Sequence, residues 1–121
     1  MARILIVDDS PTDARVISAM LERNGLTVSV STSAEHAIGV ASAELPDLIL
    51  MDVVMPGMNG FQATRILSRE PRTAHIPILI LTTKSLETDR VWGLRQGAKD
   101  FLTKPPREAD LVSRIQALLG H

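Results

Sequence analysis

Five short apolar runs alternate along the chain with five longer segments in which apolar residues recur at helical spacing. The runs are RILIV (3–7), LTVSV (26–30), DLILM (47–51), IPILIL (76–81) and DFLT (100–103). Two of these runs are rich in Ile and Val and do not alternate with polar residues, which is typical of parallel strands covered on both faces. LTVSV does alternate, so we expect it at an edge of the sheet, with one wetter face.

The segments between the runs carry the signals of helix ends. The first, SPTDARVISAMLERNG (10–25), opens with Ser10 as N-cap and Pro11 at the first helical position, and has Asp13 in its first turn. It closes on Asn24 and Gly25, which form a good C-cap. Its predicted apolar stripe comprises Val16, Ile17, Met20 and Leu21. The other predicted helices are SAEHAIGVASAEL (33–45), GFQATRILSRE (60–70), LETDRVWGLRQGA (86–98) and PREADLVSRIQALLG (106–120).

Strand and helix therefore alternate five times with short connections. Because crossovers between parallel strands are right-handed, this order predicts an α/β fold, a doubly wound parallel sheet with helices on both faces. No linker, repeat or low-complexity stretch interrupts the pattern. We expect residues 1–121 to form a single domain without an output domain.

Composition narrows the class of protein. Hydrophobic residues make up 45% and charged residues 22% of the chain, as in an ordinary globular domain, and the scarcity of aromatic residues requires an aliphatic core. A net charge of −1 argues against nucleic acid as a partner. The absence of Cys rules out disulfides and thiolate sites. No run approaches the roughly 18 apolar residues needed to span a membrane, so we expect a cytoplasmic protein with no membrane partner.

Polar residues that can bind a ligand or take part in a reaction follow the apolar runs. They are Asp8 and Asp9 after the first run, Asp52 after the third, Thr82 and Thr83 at the end of the fourth, and Lys104 after the fifth. In a parallel α/β sheet, ligands bind outside the carboxyl ends of the strands. If the first, third, fourth and fifth strands are neighbours, these groups converge on one cleft.

Three carboxylates in one cleft would repel each other and raise each other's pKa. A hard divalent cation relieves this repulsion, and Mg²⁺ favours a few carboxylate oxygens together with water and phosphate oxygens. Such a cleft suits phosphoryl transfer, in which catalysis is mainly positioning and charge neutralisation. Asp52 is then the nucleophile that forms an aspartyl phosphate, and Asp8 and Asp9 hold the metal. Lys104 and Thr82 each bind one phosphoryl oxygen, whereas we interpret Thr83 as structural.

The sequence resembles the receiver domain of two-component response regulators over nearly its whole length. The motifs VDDS, LMDVVMPGMNG, ILTT and GAKDFLTKP carry the resemblance, in this order and at this spacing. It implies a flavodoxin-like five-stranded parallel sheet, in strand order 2-1-3-4-5, with five helices. It also implies a requirement for Mg²⁺, which Mn²⁺ can replace.

The resemblance implies a role for each matching residue of the site. The metal ligands are Asp8, Asp9, Asp52 and the backbone carbonyl of Val54; the phosphoacceptor is Asp52; the phosphoryl-binding residues are Lys104 and Thr82; the switch residues are Thr82 and Phe101. On phosphorylation, the Thr82 hydroxyl is expected to move towards the site, and Phe101 is expected to turn inward into the space beside the fourth strand.

Finer similarity, in MARILIVDDSPT and TDRVWGLRQGAKDFLTKP, points to the single-domain regulators of twitching motility of the PilH type or to another stand-alone chemotaxis-like receiver. The implied partners are a histidine kinase or phosphotransfer protein and an output protein that binds the face formed by helix 4, strand 5 and helix 5. The protein is expected to be a monomer. Its only reactions are self-phosphotransfer and autodephosphorylation at Asp52, so we do not expect a conventional enzyme.

Other functions are open to a chain with these motifs. The protein can act as a phosphate sink for a shared kinase rather than as a signal carrier. An aspartate-nucleophile phosphatase is disfavoured, because those proteins resemble an Asp-x-Asp pattern with a cap insertion, whereas the acids here are adjacent. A flavin carrier is also disfavoured, because Asp8 and Asp9 would repel the phosphate where a hydroxyl- and glycine-rich loop is needed.

Three further predictions concern single positions. Trp92 lies off the apolar stripe Val91–Leu94–Ala98 of its helix, so we expect it to be half exposed. The Lys104–Pro105 bond is predicted to be cis, because the chain must reverse sharply to aim Lys104 into the cleft. The histidines are predicted to lie at the surface without a metal role: His36, His75 and His121.

Overall fold

The computed structural model describes residues 1–120, so the prediction for His121 falls outside the described part of the chain. The strands are β1 (Arg3–Val7), β2 (Thr27–Ser31), β3 (Leu48–Met51), β4 (Ile78–Thr82) and β5 (Asp100–Thr103). The helices are α1 (Pro11–Arg23), α2 (Ala34–Glu44), α3 (Gly60–Arg69), α4 (Glu87–Gln96) and α5 (Glu108–Leu119). The strands form one parallel sheet in the order β2-β1-β3-β4-β5, which confirms the predicted fold class and strand order.

The sheet separates two aliphatic cores, as the non-alternating strands predict. In β3, Leu48 and Leu50 join the core that α1 and α5 cover, while Ile49 and Met51 join the core on the opposite face. Successive residues of a strand point to opposite faces, so a strand buried on both sides is apolar at every position. The sheet is therefore fixed between two helical layers, which leaves the ends of its strands to carry function.

Strand β2 is the exception and lies at the edge of the sheet. It pairs with β1 alone, from Arg3 opposite Thr27 to Val7 opposite Ser31. Most of its side chains are exposed, including that of Val30. The alternating pattern of this run was therefore correctly interpreted as an edge strand.

Helix α1 confirms its predicted caps but not all of its predicted stripe. The Ser10 side chain accepts a hydrogen bond from the Asp13 N–H at 3.2 Å, and the helix ends on Asn24 as C-cap. Val16 is exposed, so its assignment to the apolar stripe is wrong. The buried face runs instead through Ala14, Ile17 and Leu21. These residues are three and four positions apart and so share one side of the helix, while Val16 lies about 100° away from it.

Helix α4 confirms two residues of its predicted stripe but not the third. Leu94 packs against the core and Ala98, just after the helix, is buried, whereas Val91 is exposed. The buried residue within the helix is Gly93, where a Cβ atom would lie 2.7 Å from Cδ1 of Ile80, so the helix backbone itself rests on the sheet. A contact made by a glycine leaves no apolar signal in the sequence, so the pattern did not reveal it. Trp92 is 49% exposed, as predicted.

Two remaining predictions bear on the surface of the molecule. His36 and His75 are both exposed, as expected. None of the helices within residues 1–120 combines the length and the apolarity needed to cross a bilayer.

Candidate functional site

The predicted site residues meet at the carboxyl edge of the sheet. The sequence predicts that these residues converge if the strands before them are neighbours. The sheet has β1, β3, β4 and β5 side by side, so this condition is met. Asp8 follows β1, Asp52 follows β3, Thr82 ends β4 and Lys104 follows β5. All four side chains are largely shielded from solvent, whereas Asp9 is exposed at the mouth of the cleft.

The Lys104 ammonium is the centre of the cleft. Its Nζ lies 2.6 Å from Oδ2 of Asp8, 2.9 Å from Oδ2 of Asp13 and 3.0 Å from Oδ2 of Asp52. Its side chain is only 8% exposed. A lysine ammonium has three N–H donors, and here each one has a carboxylate acceptor. The lysine therefore holds together residues of β1, α1 and β3 from the far end of the chain.

The backbone around Lys104 directs its side chain inward. The Lys104–Pro105 bond is cis, which confirms the prediction. The Lys104 N–H donates to the Thr82 carbonyl at 2.8 Å, so the register of β5 on β4 extends one residue beyond the strand. The chain then turns into α5, which begins at Glu108.

Three carboxylates of the cleft can hold a divalent cation. One oxygen from each of Asp8, Asp9 and Asp52 lies within 4.8 Å of the others. These ligands are all oxygens, and the cleft is open to solvent on the side of Asp9. Such a site suits Mg²⁺, because that ion binds few carboxylates and keeps several water ligands. The Val54 N–H donates to Oδ1 of Asp52 at 3.3 Å, while the Val54 side chain points into solvent.

The electrostatics of the cleft depend on its burial and on Lys104. Burial raises the pKa of Asp8 above its ordinary value of 3.8, although the hydrogen bonds from Lys104 and from the Ser10 N–H oppose that rise. Burial alone would lower the pKa of Lys104, but the hydrogen bonds to Asp8, Asp13 and Asp52 outweigh it and raise that pKa. The lysine therefore stays charged, and three carboxyl groups surround it in a poorly solvated space.

The loop after Asp52 is shaped by a close approach of the chain to itself. A Cβ atom on Gly60 would collide with the backbone carbonyl of Asp52. The Gly60 N–H donates to the Val53 carbonyl at 3.1 Å, and Asn59 and Gln62 close a capping box at the start of α3. Only glycine lets α3 begin directly against the Asp52 peptide, so this helix start fixes the position of the acid.

Thr82 lies fully buried at the floor of the cleft. Its Oγ1 accepts a hydrogen bond from the Lys84 N–H at 3.4 Å, and Nζ of Lys84 lies 3.6 Å from Oδ1 of Asp89 in α4. This chain of contacts connects the site with the first turn of α4. Thr83 is exposed beside it.

The structure shows the position of Phe101, the second predicted switch residue. Its side chain is buried against the backbone of α4 at Gly93. A Cβ atom on Gly93 would lie 3.4 Å from Cδ2 of Phe101. The Phe101 side chain serves as the surface on which α4 rests. A change in the Phe101 side chain on phosphorylation stays a prediction.

Asp13 is the site residue that sequence reasoning missed. The sequence pattern places it in the first turn of α1, where acidic residues are common, and indicates no further role. The missed signal is its position five residues after Asp8, on the helix whose first turn starts beside the cleft.

The comparison with protein families now identifies the class of the protein. Residues 4–116 match the response regulator receiver domain. The match covers most of the chain, and the chain belongs to this family.

Individual relatives agree with this assignment. Protein PilH of Pseudomonas aeruginosa is 54% identical over 120 residues, which are 99% of each protein, so the finer resemblance is confirmed. A putative response regulator from Chloroflexus aurantiacus superposes with a TM-score of 0.95 at 32% identity, covering 99% of this chain and 98% of that one. The receiver domain of sensor histidine kinase PA1611 from Pseudomonas aeruginosa has a TM-score of 0.91 at 34% identity, with coverages of 99% and 98%. That structure contains a magnesium ion coordinated in the active-site cleft.

Proposed function

We propose that this receiver is a Mg²⁺-dependent switch in which Asp52 accepts a phosphoryl group from a histidine kinase or a phosphotransfer protein. The observation that supports this proposal is the buried Lys104 ammonium between Asp8, Asp13 and Asp52. A buried ammonium ringed by acids, beside three carboxylate oxygens close enough to share a cation, is the charge arrangement that a transferring phosphoryl group needs.

The transfer step follows from the chemistry of the groups. A carboxylate oxygen of Asp52 forms a bond to phosphorus, while the P–N bond of the donor phosphohistidine breaks. The imidazole keeps the electron pair of that bond and takes up a proton. Asp8, Asp9, Asp52 and the Val54 carbonyl would hold Mg²⁺ or Mn²⁺, which supplies charge neutralisation when bound. Lys104 and Thr82 each donate to a phosphoryl oxygen.

The output is a change in α4 and its contact with β5. When the Thr82 hydroxyl donates to a phosphoryl oxygen, the loop that the Lys84 N–H ties to it must adjust. A hydrogen bond to a charged group contributes about 1.5–3 kcal/mol, which biases a two-state equilibrium by roughly 10- to 150-fold. The surface formed by α4, β5 and α5 then binds an output protein in its altered form.

The biological setting of the switch is that of a single-domain regulator in twitching motility or a chemotaxis-like pathway. The identity of 54% with PilH over nearly the full length of both proteins supports this setting. We propose that the protein works as a cytoplasmic monomer. The only phosphoryl group that it turns over is its own, at Asp52.

The proposal is tested by phosphorylation with a small donor. Acetyl phosphate and Mg²⁺ are expected to add one phosphoryl group to the wild-type protein, detected by intact mass. Asp52→Asn and wild type with excess EDTA are expected to remain unlabelled. Asp110→Asn, an exposed acid on α5 away from the cleft, is the matched control and should label normally. Labelling that persists in Asp52→Asn, or that ignores EDTA, would contradict the assignment.

A further inference from the structure

We infer that Asp13 is a positioning residue for phosphoryl transfer, which acts by holding the Lys104 ammonium in the cleft while Asp8 and Asp52 change partners. This inference rests on the proposed function of the site and adds a residue to it. The contact that carries it is the hydrogen bond of 2.9 Å from Nζ of Lys104 to Oδ2 of Asp13.

The position of Asp13 differs from that of the other two acceptors of Lys104. Asp8 and Asp52 belong to the group of acids close enough to share a cation, and Asp13 does not. Its side chain is 45% exposed, whereas those of Asp8 and Asp52 are 5% and 9% exposed. Asp13 therefore contacts the ammonium from a more solvent-exposed position than Asp8 and Asp52 do.

The three donors of the ammonium explain why this contact matters. In this structure, one N–H points to each of Asp8, Asp13 and Asp52. Metal binding draws on oxygens of Asp8 and Asp52, and phosphorylation replaces the Asp52 acceptor with a phosphoryl oxygen. Asp13 alone takes part in neither event, so it is the one acceptor that can hold Lys104 throughout.

The backbone places Asp13 firmly enough to do this. Its N–H donates to the Ser10 side chain at 3.2 Å, and Pro11 begins the helix between them. The Ser10 N–H in turn donates to Oδ1 of Asp8 at 2.9 Å. The cap of α1 thereby fixes Asp13 relative to Asp8, so the two acceptors approach the ammonium with a set separation.

A plain helix-dipole role does not account for the contact. Asp110, in the first turn of α5, shows what such an acid does elsewhere, since it pairs with Arg114 of its own helix at 3.0 Å. Asp13 instead binds a residue 91 positions away in the sequence. A purely repulsive role, in which Asp13 hinders the incoming phosphate, is a distinct account with the opposite expected effect.

The experiment measures the initial rate of phosphorylation by acetyl phosphate at saturating Mg²⁺, together with Mg²⁺ affinity. Asp13→Ala should slow the reaction roughly tenfold, because misplacing a participating group by about 1 Å can cost about 100-fold. Asp13→Asn keeps an acceptor oxygen and should stay within about threefold of wild type. Mg²⁺ affinity should change little in either variant. Asp13→Ser, whose hydroxyl is too short to reach Nζ, is the second loss variant if Asp13→Ala does not fold.

A double-mutant cycle then separates positioning from other effects. In a Lys104→Ala background, Asp13→Ala should cause no further loss of rate, because a residue that acts only through Lys104 has nothing left to hold. The matched control is Asp110→Ala, because the Asp110 side chain is 47% exposed, much like that of Asp13. This substitution should not slow phosphorylation.

The outcomes distinguish a failure of the inference about Asp13 from a failure of the proposed phosphorylation at Asp52. A wild-type protein that is not labelled at Asp52 would refute the proposed function itself. If wild type is labelled, the inference is overturned by a faster or unchanged Asp13→Ala, by an Asp13→Asn as slow as Asp13→Ala, or by an equal loss in the Lys104→Ala background. The inference is supported if Asp13→Ala slows phosphorylation, if Asp13→Asn keeps a rate near that of wild type, and if Asp13→Ala has no effect in the Lys104→Ala background.

Discussion

Helices α4 and α5 both neighbour strand β5, yet they are held to the molecule in different ways. Helix α5 buries Leu111, Val112 and Ile115, two of them completely. Helix α4 buries Gly93, packs the partly buried Leu94 against the core, and leaves Val91 and Trp92 exposed. A helix held by large aliphatic side chains loses much packing energy if it shifts, whereas one that rests on its own backbone loses little.

The ion pairs of the two helices show the same contrast. Arg114 of α5 bonds to Asp100 of β5 at 2.9 Å, and Glu108 bonds to Arg23 of α1 at 2.5 Å. In α4, Arg90 pairs with Glu87 of the same helix, and Asp89 pairs with Lys84 of the preceding loop. Exposed pairs of this kind contribute little to stability, so packing remains the main difference between the two helices. The comparison indicates that α4 is the element that phosphorylation can displace, while α5 remains fixed.

The largest expected effect compares one aliphatic residue of each helix, Leu111 of α5 and Val91 of α4. Leu111→Ala removes a fully buried side chain and should lower the free energy of unfolding by about 2–5 kcal/mol. Val91→Ala removes an exposed side chain and should change it by less than about 0.5 kcal/mol. Urea denaturation followed by circular dichroism measures both. Similar losses in the two variants would mean that α4 is as firmly packed as α5.

Mg²⁺ binding is the next largest expected effect and acts on the cleft rather than on α4. A ligand present at 100 times its dissociation constant stabilises the folded protein by about 2.7 kcal/mol. Asp8 has a folded-state pKa raised above 3.8, so lowering the pH towards that value protonates it and should weaken Mg²⁺ binding. Thermal unfolding with and without Mg²⁺ at several pH values measures the effect.

Without Mg²⁺, the stability of the folded protein is expected to depend on pH in the opposite direction. A carboxyl group whose pKa is raised by folding contributes stability below its unfolded pKa, and that contribution is lost as pH rises through the folded pKa. Asp8 has Asp52, Asp13 and Lys104 around it, so Asp8→Asn should reduce the pH dependence of the metal-free protein. An unchanged pH dependence in Asp8→Asn would show that Asp8 is not the group responsible.

Most of the fold could be predicted because its signals are local. The non-alternating runs of β1, β3 and β4 report burial on both faces, and the caps of α1 at Ser10 and Asn24 report its ends. Val16 of α1 and Val91 of α4 were wrongly assigned to buried stripes for a different reason. Which side of a helix faces the sheet depends on contacts such as that of Gly93 with Ile80, which apolar periodicity does not record.

The site residues that follow a strand could be predicted from the sequence. Asp8, Asp52, Thr82 and Lys104 each follow an apolar run, and the parallel sheet brings them together. Asp13 follows no strand and fits a helix-capping pattern, so only the position of Lys104 reveals its contact with the cleft. The buried state of Phe101 likewise depends on the glycine opposite it in α4, which a motif does not report.

The central claim is that phosphorylation at Asp52 displaces α4 through Thr82 while α5 stays in place. Amide hydrogen exchange and Trp92 fluorescence, measured with Mg²⁺ in the presence and absence of beryllofluoride as a phosphoryl mimic, test it most directly. In wild type, exchange should change in the cleft, in residues 83–86 and in α4, but not in α5, and Trp92 should respond. In Thr82→Ala, the cleft should still respond and α4 should not. A wild-type response confined to the cleft, or a full α4 response in Thr82→Ala, would contradict the account.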